Sequence, residues 1–227
     1  MSVIVPVYNE AGMVGDCIES LLAQTYPDER YEVLMVDNDS TDGTAEVVRS
    51  YPVRYVLEDR VHTSYAARNT GARRAEGELY AFCDADQRAD RGWLGALATA
   101  WENRDYAAYT GPTPVYPAND GLAARVFSEC RFGDRIEAGE KTVEHAATSN
   151  LMVGADLFWE LGGFKKDVPD SEDFAFCRRL RLRSGRDILF VPEAVQWHRS
   201  RETYRDYLKA NLRGGYGMDL RRRGVVD

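Results

Sequence analysis

The chain has 227 residues, of which 44% are hydrophobic, and its formal net charge is −8. This length suits one domain whose apolar core needs no disulfides. The acidic balance and the absence of a zinc-finger or RNP-type motif argue against a protein that binds nucleic acid.

The cysteines and the hydropathy pattern bear on the compartment. Four widely spaced cysteines form no C-x-x-C pair, which argues against a disulfide framework or a zinc ribbon: Cys17, Cys83, Cys130 and Cys177. We expect them to be small buried side chains in a reducing cytoplasm. No basic, apolar leader precedes the first strand, and no run of eighteen apolar residues occurs. We therefore expect a cytoplasmic protein; a membrane segment after Asp227, and peripheral attachment to the inner face of the membrane, stay open.

Strands and helices alternate in the first half of the chain. Apolar, β-branched runs predict strands at Ser2–Val7, Tyr31–Asp37, Val53–Leu57 and Leu79–Cys83, and helical patterns lie between them at Gly12–Gln24, Thr41–Arg49 and Thr63–Ala75. Such alternation predicts an α/β fold with a Rossmann-like, mostly parallel sheet flanked by helices. Ligands of such sheets bind beyond the carboxyl ends of the strands.

The second half has a less regular pattern. It predicts helices at Asp90–Asn103, Leu122–Ile136, Asp156–Leu161 and Ser171–Ser184, with strands at Tyr106–Gly111 and Ile188–Val191. The proline-rich segment Pro112–Ala118 and the polar link Glu137–Ser149 are predicted to be irregular. Because no repeat or linker is visible, we expect one domain over residues 1–227, with a first half at 1–110, a second half at 111–203 and a basic extension at 204–227.

Polar side chains follow three of the predicted strands. These strand ends are Tyr8-Asn9-Glu10, Asp37-Asn38-Asp39 and Asp84-Ala85-Asp86. Mg²⁺ and Mn²⁺ prefer oxygen ligands and bind diphosphates in the same coordination sphere, so the Asp-x-Asp pair indicates a metal bridge to a nucleotide. Taken alone, the pair is more often two solvated acids in a turn, because Asp is common where strands end.

Four separated segments resemble the nucleotide-sugar motifs of the family 2 glycosyltransferases, which adopt the GT-A fold. They are Val3–Glu10, Val36–Thr44, Ala67–Gly71 and Asp84–Asp86, and their order and spacing agree with that family. The resemblance runs from Ser2 to about His198 and fades beyond Thr203. It implies a GT-A domain in which residues 1–110 bind the nucleotide sugar and residues 111–203 supply the acceptor site and the catalytic base.

The resemblance also implies a set of residues that bind the nucleotide sugar. An aromatic ring at Tyr8 suits stacking on a base or ribose, Glu10 suits ribose hydroxyls, and a guanidinium at Arg68 suits a diphosphate or a base carbonyl. Taken alone, Tyr8 could be a half-buried loop aromatic and Arg68 a surface arginine, while acids at strand ends often form turns. The full set is Pro6, Val7, Tyr8, Glu10, Asp37, Asp39, Arg68, Asp84 and Ala85, with Asp37 as the expected base reader.

Metal ligands and a base complete the implied site. By the resemblance, Asp84, Asp86 and His198 bind Mn²⁺ or Mg²⁺, and the Glu172-Asp173 pair is catalytic, with Asp173 as the base that deprotonates the acceptor hydroxyl. A lone histidine is more often structural, and acids are favoured in any first helical turn. Asn150 and the link Glu137–Ser149 are further candidates for acceptor or donor contacts.

These residues together predict a metal-dependent, inverting glycosyltransferase that uses a nucleoside diphosphate sugar, UDP-linked in the favoured case. Its acceptor is a hydroxyl on a glycan, a lipid-linked molecule or a small molecule. One alternative is a nucleotidyltransferase, which should show a Gly-rich, basic loop after the first strand; here Val7–Gly12 is acidic with a single glycine. The other is a non-catalytic nucleotide-sugar binding module, against which an intact Glu172-Asp173 pair argues.

Charge is distributed unevenly along the chain. Residues 178–227 carry a net charge of +7, against −15 for residues 1–177. A basic end that includes Arg221, Arg222 and Arg223 predicts an anionic partner, either a diphosphate or an acidic lipid surface. The alternative is a solvated, arginine-rich helix face.

Overall fold

The computed structural model describes residues 1–117, 119, 121, 125, 141–165 and 172–200. Its strands are β1 (Ser2–Val7), β2 (Glu32–Asp37), β3 (Arg54–Leu57), β4 (Leu79–Cys83), β5 (Gln87–Ala89), β6 (Ala108–Thr110), β7 (Val115–Tyr116), β8 (Thr142–Val143), β9 (Asn150–Gly154), β10 (Ile188–Phe190) and β11 (Gln196–Arg199). Its helices are α1 (Val14–Leu22), α2 (Thr44–Arg49), α3 (Ser64–Arg74), α4 (Trp93–Trp101), α5 (Ala155–Glu160) and α6 (Glu172–Ser184), with a 3₁₀ turn at Asp28–Arg30.

An eight-stranded sheet in the order β3-β2-β1-β4-β9-β6-β10-β8 forms the centre of the protein. The strands β1 to β4 pair in parallel, as predicted, and every residue of β1 is buried because helices cover both faces of the sheet. Two apolar clusters, one on each face, make the core. The predicted α/β architecture with a mostly parallel sheet is confirmed.

The strand β9 is the main departure from the predicted elements. It lies antiparallel between β4 and β6, and all five of its residues are buried. The prediction has no strand here, because a short apolar run after a polar link shows neither helical nor alternating periodicity. The segments predicted to be irregular also contribute strands, since β7 lies within Pro112–Ala118 and β8 within Glu137–Ser149.

A second, three-stranded sheet in the order β5-β11-β7 stands beside the end of β4. In its antiparallel ladder, His198 of β11 pairs with Gln87 of β5. The Arg199 N–H also donates a hydrogen bond of 3.0 Å to the carbonyl of Asp86. The small sheet therefore carries β11 to the turn that holds the Asp-x-Asp pair.

Helix α3 packs closely against the large sheet because Gly71 has no side chain. A Cβ at this position would lie 2.6 Å from Ile4 Cγ2 and 2.8 Å from Val36 Cγ2, well inside van der Waals contact. At the other end of α3, the Thr63 side chain caps the helix by accepting a hydrogen bond of 3.2 Å from the Ala66 N–H. This packing fixes the first turn of α3 at the carboxyl edge of the strands.

Several expectations fall outside the described residues. They include most of the helix Leu122–Ile136, the capping role of Ser171, the state of Cys130 and the basic extension. Cys17, Cys83 and Cys177 are buried thiols outside any disulfide, as expected. Within the described ranges, no helix combines the length and the apolar character that a membrane span requires.

Candidate active site

The loops after β1 and β2 are joined to each other by hydrogen bonds. The Asn9 N–H donates to Ser40 Oγ over 2.9 Å, and the Thr41 N–H donates to Asn9 Oδ1 over 2.8 Å. The Glu10 N–H is held by Thr44 Oγ1 at 2.8 Å. Asn9 adopts a left-handed φ of 55°, which the asparagine side chain tolerates. These contacts give the predicted nucleotide-binding loop a fixed shape, with Tyr8 projecting from it at 52% exposure.

Asp37, the expected base reader, is buried at the end of β2. Only 1% of it is exposed. Its Oδ1 accepts a hydrogen bond of 2.9 Å from the Ser40 N–H, and its Oδ2 accepts one of 2.8 Å from the Tyr55 hydroxyl. Burial, together with this hydrogen bond, raises the pKa of Tyr55 to about 12. A base N–H that reached Asp37 would have to share an oxygen that already accepts a hydrogen bond, whereas Asp39 is exposed with a φ of 64°.

Arg68 is buried, so the alternative of a surface arginine is wrong. Its residue exposure is 4%, and its Nη2 forms an ion pair with Oδ1 of Asp84. Its Nε is buried without a hydrogen-bond partner among the described residues. An unsatisfied buried guanidinium N–H is costly, and its chemistry fits an anionic ligand that arrives from the carboxyl edge of the sheet.

The three predicted metal ligands do not form one cluster. His198 Nε2 lies 3.4 Å from Asp86 Oδ2, so this pair is brought together, but Asp84 is turned towards Arg68. Among the described residues, no group of three His, Cys, Asp or Glu side chains could hold a metal ion. A carboxylate oxygen beside an imidazole nitrogen fits Mn²⁺ better than Mg²⁺, which prefers oxygen ligands alone, and leaves positions for water and a diphosphate.

A buried polar layer supports the Asp-x-Asp turn from below. Cys83 Sγ lies 3.4 Å from Gln196 Oε1, and Cys17 Sγ lies 3.5 Å from the Asp84 carbonyl. Burial raises the pKa of the Cys83 thiol far above its ordinary value, so it remains a neutral thiol. These two thiol contacts connect the end of β4 to β11 and to α1, so we assign Cys83 and Cys17 a structural role.

Glu172, which was predicted to be catalytic, is a buried carboxylate held in an ion pair. Its exposure is 0%, and its carboxylate pairs with Arg179 Nη2 at 2.8 Å while accepting the Lys165 N–H. Arg179 Nη2 also donates to the Gly163 carbonyl at 3.0 Å. These contacts tie the first turn of α6 to the chain that follows α5.

Asp173, the next residue, is partly exposed, and its Oδ1 accepts a hydrogen bond of 2.8 Å from the Phe174 N–H. Its negative charge lies near Tyr65 of α3. Burial, with the negative charges of Asp173 and Asp84, raises the pKa of Tyr65 far above its ordinary value, although Arg68 opposes the shift. Asp173 thus lies on the side of the site where Arg68 and Asp84 meet.

Three further buried or partly buried residues lie around the site: Asn69 and Tyr65, which had no predicted role, and Asn150. Asn69 clamps the main chain of Phe164, donating to its carbonyl at 2.7 Å and accepting from its N–H at 2.9 Å. Asn150, a predicted substrate contact, is 1% exposed; its Oδ1 accepts a hydrogen bond of 2.9 Å from Trp93 Nε1, and its Nδ2 donates one of 2.9 Å to the Ala194 carbonyl. Tyr65 had no predicted role. It could have been found from the sequence because it lies three residues before Arg68, and residues with this spacing share one face of a helix.

A family model described as "Glycosyl transferase family 2" matches residues 2–162. The chain belongs to this family. Glycosyltransferase AglE of Haloferax volcanii is 32% identical over 223 residues, which cover 96% of this chain and 72% of that protein. The putative teichuronic acid biosynthesis glycosyltransferase TuaG of Bacillus subtilis is 34% identical over 163 residues, which cover 68% of this chain and 59% of that protein.

Solved structures have the same fold as this family 2 glycosyltransferase. S. aureus TarS 1-349 in complex with UDP-GlcNAc superposes with a TM-score of 0.73 at 20% identity, covering 89% of this chain and 59% of that one. The mannosyltransferase PcManGT from Pyrobaculum calidifontis, in complex with GDP-Man and Mn²⁺, gives a TM-score of 0.70 at 25% identity, covering 87% and 56%. These structures confirm the GT-A fold, and the family match with the named relatives confirms a glycosyltransferase.

Proposed function

We propose that this glycosyltransferase transfers a sugar from a nucleoside diphosphate donor, UDP-linked in the favoured case, to an acceptor hydroxyl with inversion at the anomeric carbon. The observation that carries the proposal is Arg68, a buried cation that pairs with Asp84 and whose Nε has no hydrogen-bond partner within the part of the chain that the structure describes. Asp86 Oδ2 lies 3.4 Å from His198 Nε2 of β11, and Asp173 lies in the first turn of α6. The complexes of TarS with UDP-GlcNAc and of PcManGT with GDP-Man support this class of donor.

The donor is held by the loop after β1 and by Arg68. The exposed Tyr8 ring stacks on the base or ribose, Glu10 accepts hydrogen bonds from ribose hydroxyls, and the Arg68 guanidinium binds the diphosphate. Asp84 fixes the guanidinium for this task. Asp37 contributes by holding the loop at Ser40, and Pro6, Val7, Asp39 and Ala85 line the same edge.

Asp86 and His198 would hold Mn²⁺, with the donor diphosphate and water completing its coordination. The bound cation supplies electrostatic stabilisation of the charge that develops on the leaving diphosphate. Mg²⁺ would be a poorer fit because of the imidazole. Asp84 contributes through Arg68 rather than as a direct ligand.

Asp173 removes the proton from the acceptor hydroxyl as that oxygen attacks the anomeric carbon. A carboxylate in the first turn of a helix is stabilised in its charged form, which keeps it ready to accept a proton. Direct displacement by the acceptor, with one base and no covalent intermediate on the enzyme, inverts the anomeric configuration. The acceptor is a hydroxyl on a glycan or lipid-linked molecule, and peripheral attachment at the inner face of the membrane is part of the proposal.

The test measures UDP release from the UDP-sugar that a thermal-shift screen with Mn²⁺ selects. We expect Asp173→Asn to lower turnover by several orders of magnitude and to leave the Kd for UDP unchanged, because the base acts only on the acceptor. Asp156→Asn is the matched control, since Asp156 is an exposed acid in the first turn of α5. Equal losses of UDP affinity and turnover in Asp173→Asn would contradict the role, and so would a product that retains the anomeric configuration of the donor.

A further inference from the structure

The first turn of α6 presents an aromatic ring to solvent directly beside the proposed base. Phe174 is 38% exposed, whereas Phe176 on the same helix is fully buried. The Phe174 N–H donates a hydrogen bond of 2.8 Å to Asp173 Oδ1, which holds the carboxylate next to the residue that carries the ring. Because Glu172 is buried, the solvent-facing part of this turn consists of a carboxylate and a neighbouring phenyl ring.

The chain that leads into β9 places a second ring beside Phe174. The ring centroids of His145 and Phe174 lie 5.8 Å apart, with the rings tilted by 52°, and both residues are exposed. The next residue, Ala146, is buried, and its N–H donates a hydrogen bond of 3.4 Å to Cys177 Sγ of α6. This contact fixes the main chain beside His145, so the imidazole is held at the first turn of α6.

An exposed apolar side chain does not by itself indicate a ligand, because scattered apolar residues are normal on protein surfaces. Leu182, which is 72% exposed on the same helix, is an example. Phe174 differs from Leu182 because it is aromatic, lies beside an imidazole and belongs to the turn that carries the proposed base. A pyranose has a face of C–H groups that packs on a flat aromatic ring, and an imidazole nitrogen can hydrogen-bond to its hydroxyls. The polar neighbours Asp173 and His145 suit a sugar better than a lipid chain.

We infer that Phe174 and His145 form the acceptor subsite and that the acceptor presents a sugar ring there. A base acts on a hydroxyl within hydrogen-bonding reach, so the acceptor of Asp173 has to bind beside the first turn of α6. The sugar ring packs on Phe174, and one of its hydroxyls is thereby brought to the Asp173 carboxylate. This inference rests on the proposed function, and it goes further by naming the acceptor as a carbohydrate rather than a simple alcohol.

The experiment measures UDP release from the selected UDP-sugar with a panel of octyl pyranosides as acceptors, and with octanol as the same chain without a sugar. We expect at least one pyranoside to accelerate UDP release and octanol to have no effect. In Phe174→Ala, the KM for that pyranoside should rise at least about tenfold, while the KM for the donor and the Kd for UDP with Mn²⁺ change by less than about twofold. Phe174→Tyr keeps the aromatic face and should keep the acceptor KM within about threefold of the original value. Leu182→Ala is the matched control, because it removes an exposed apolar side chain from the same helix, and it should change none of these constants.

The inference and the proposed function fail in different ways. If Asp173→Asn leaves turnover intact, Asp173 is not the base and the proposed function is wrong. If Asp173→Asn abolishes turnover but Phe174→Ala behaves like Leu182→Ala, the acceptor subsite alone is overturned. Equal stimulation by octanol and by the pyranosides, or no stimulation by any pyranoside, overturns the assignment of a carbohydrate acceptor. A parallel loss of UDP affinity and acceptor affinity in Phe174→Ala also overturns the inference, because Phe174 would then act on the site as a whole.

Discussion

Replacing Arg68 by methionine separates donor binding from folding. Methionine keeps most of the length of the side chain and removes the guanidinium, whose Nη2 pairs with Asp84 and whose Nε is buried without a described partner. Breaking a buried ion pair is usually costly because the remaining charge is stranded. Here the remaining carboxylate is 33% exposed and keeps contact with water, so we expect a change in the free energy of unfolding of about 1 kcal/mol or less.

Donor affinity should change far more than stability. A hydrogen bond to a charged group contributes about 1.5–3 kcal/mol, and each 1.4 kcal/mol is a factor of ten in Kd. We therefore expect the Kd for UDP with Mn²⁺, measured by calorimetry, to rise by about 10-fold to 150-fold in Arg68→Met. The melting temperature, measured on the same preparation, should fall by no more than about 4 °C.

Arg54→Met is the matched control for an ion pair at the other end of the strands. Arg54 pairs with Glu32 and Glu76, and its side chain is 42% exposed. This variant should bind UDP as the unmodified protein does. An unchanged Kd for UDP in Arg68→Met would refute the assignment of Arg68 to the diphosphate and leave a purely structural pair with Asp84.

Three further predictions address the metal, the Glu172 ion pair and the surface. Asp86→Asn and His198→Ala should each remove the Mn²⁺ dependence of UDP binding, as EDTA should in the unmodified protein; equal UDP affinity in Mn²⁺ and EDTA before any mutation would contradict the metal role. Glu172→Gln should lower the free energy of unfolding by about 2–3 kcal/mol, less than for a fully buried pair because Arg179 is 22% exposed, and thermal melting should show a loss of about 5–10 °C. The basic extension should make the protein co-sediment with acidic liposomes in a salt-sensitive way, and this binding should be lost when Arg221, Arg222 and Arg223 are changed to serine. Absence of binding at low salt would favour the alternative that the arginines form a solvated surface.

The pattern of strands and strand ends was readable from the sequence because it depends on local chemistry. The runs around β1, β2 and β4 are apolar and β-branched, and a parallel sheet that is buried on both faces requires such runs. Because these strands are parallel, the acids that follow β1, β2 and β4 lie at the same carboxyl edge of the sheet. In contrast, β9 gives no local signal, since its five buried residues are specified by the space between β4 and β6.

The roles within pairs of similar residues were decided only by the tertiary structure. Glu172 and Asp173 are neighbours on one helix and point about 100° apart, so packing against Arg179 buries the first and leaves the second partly exposed. Asp84 and Asp86 are likewise separated by their partners, Arg68 and His198, which come from distant parts of the chain. The sequence by itself determined which residue types reach the carboxyl edge, because that follows from local periodicity. It did not determine which of them are braces and which face the ligand, because that depends on contacts between residues far apart in the chain.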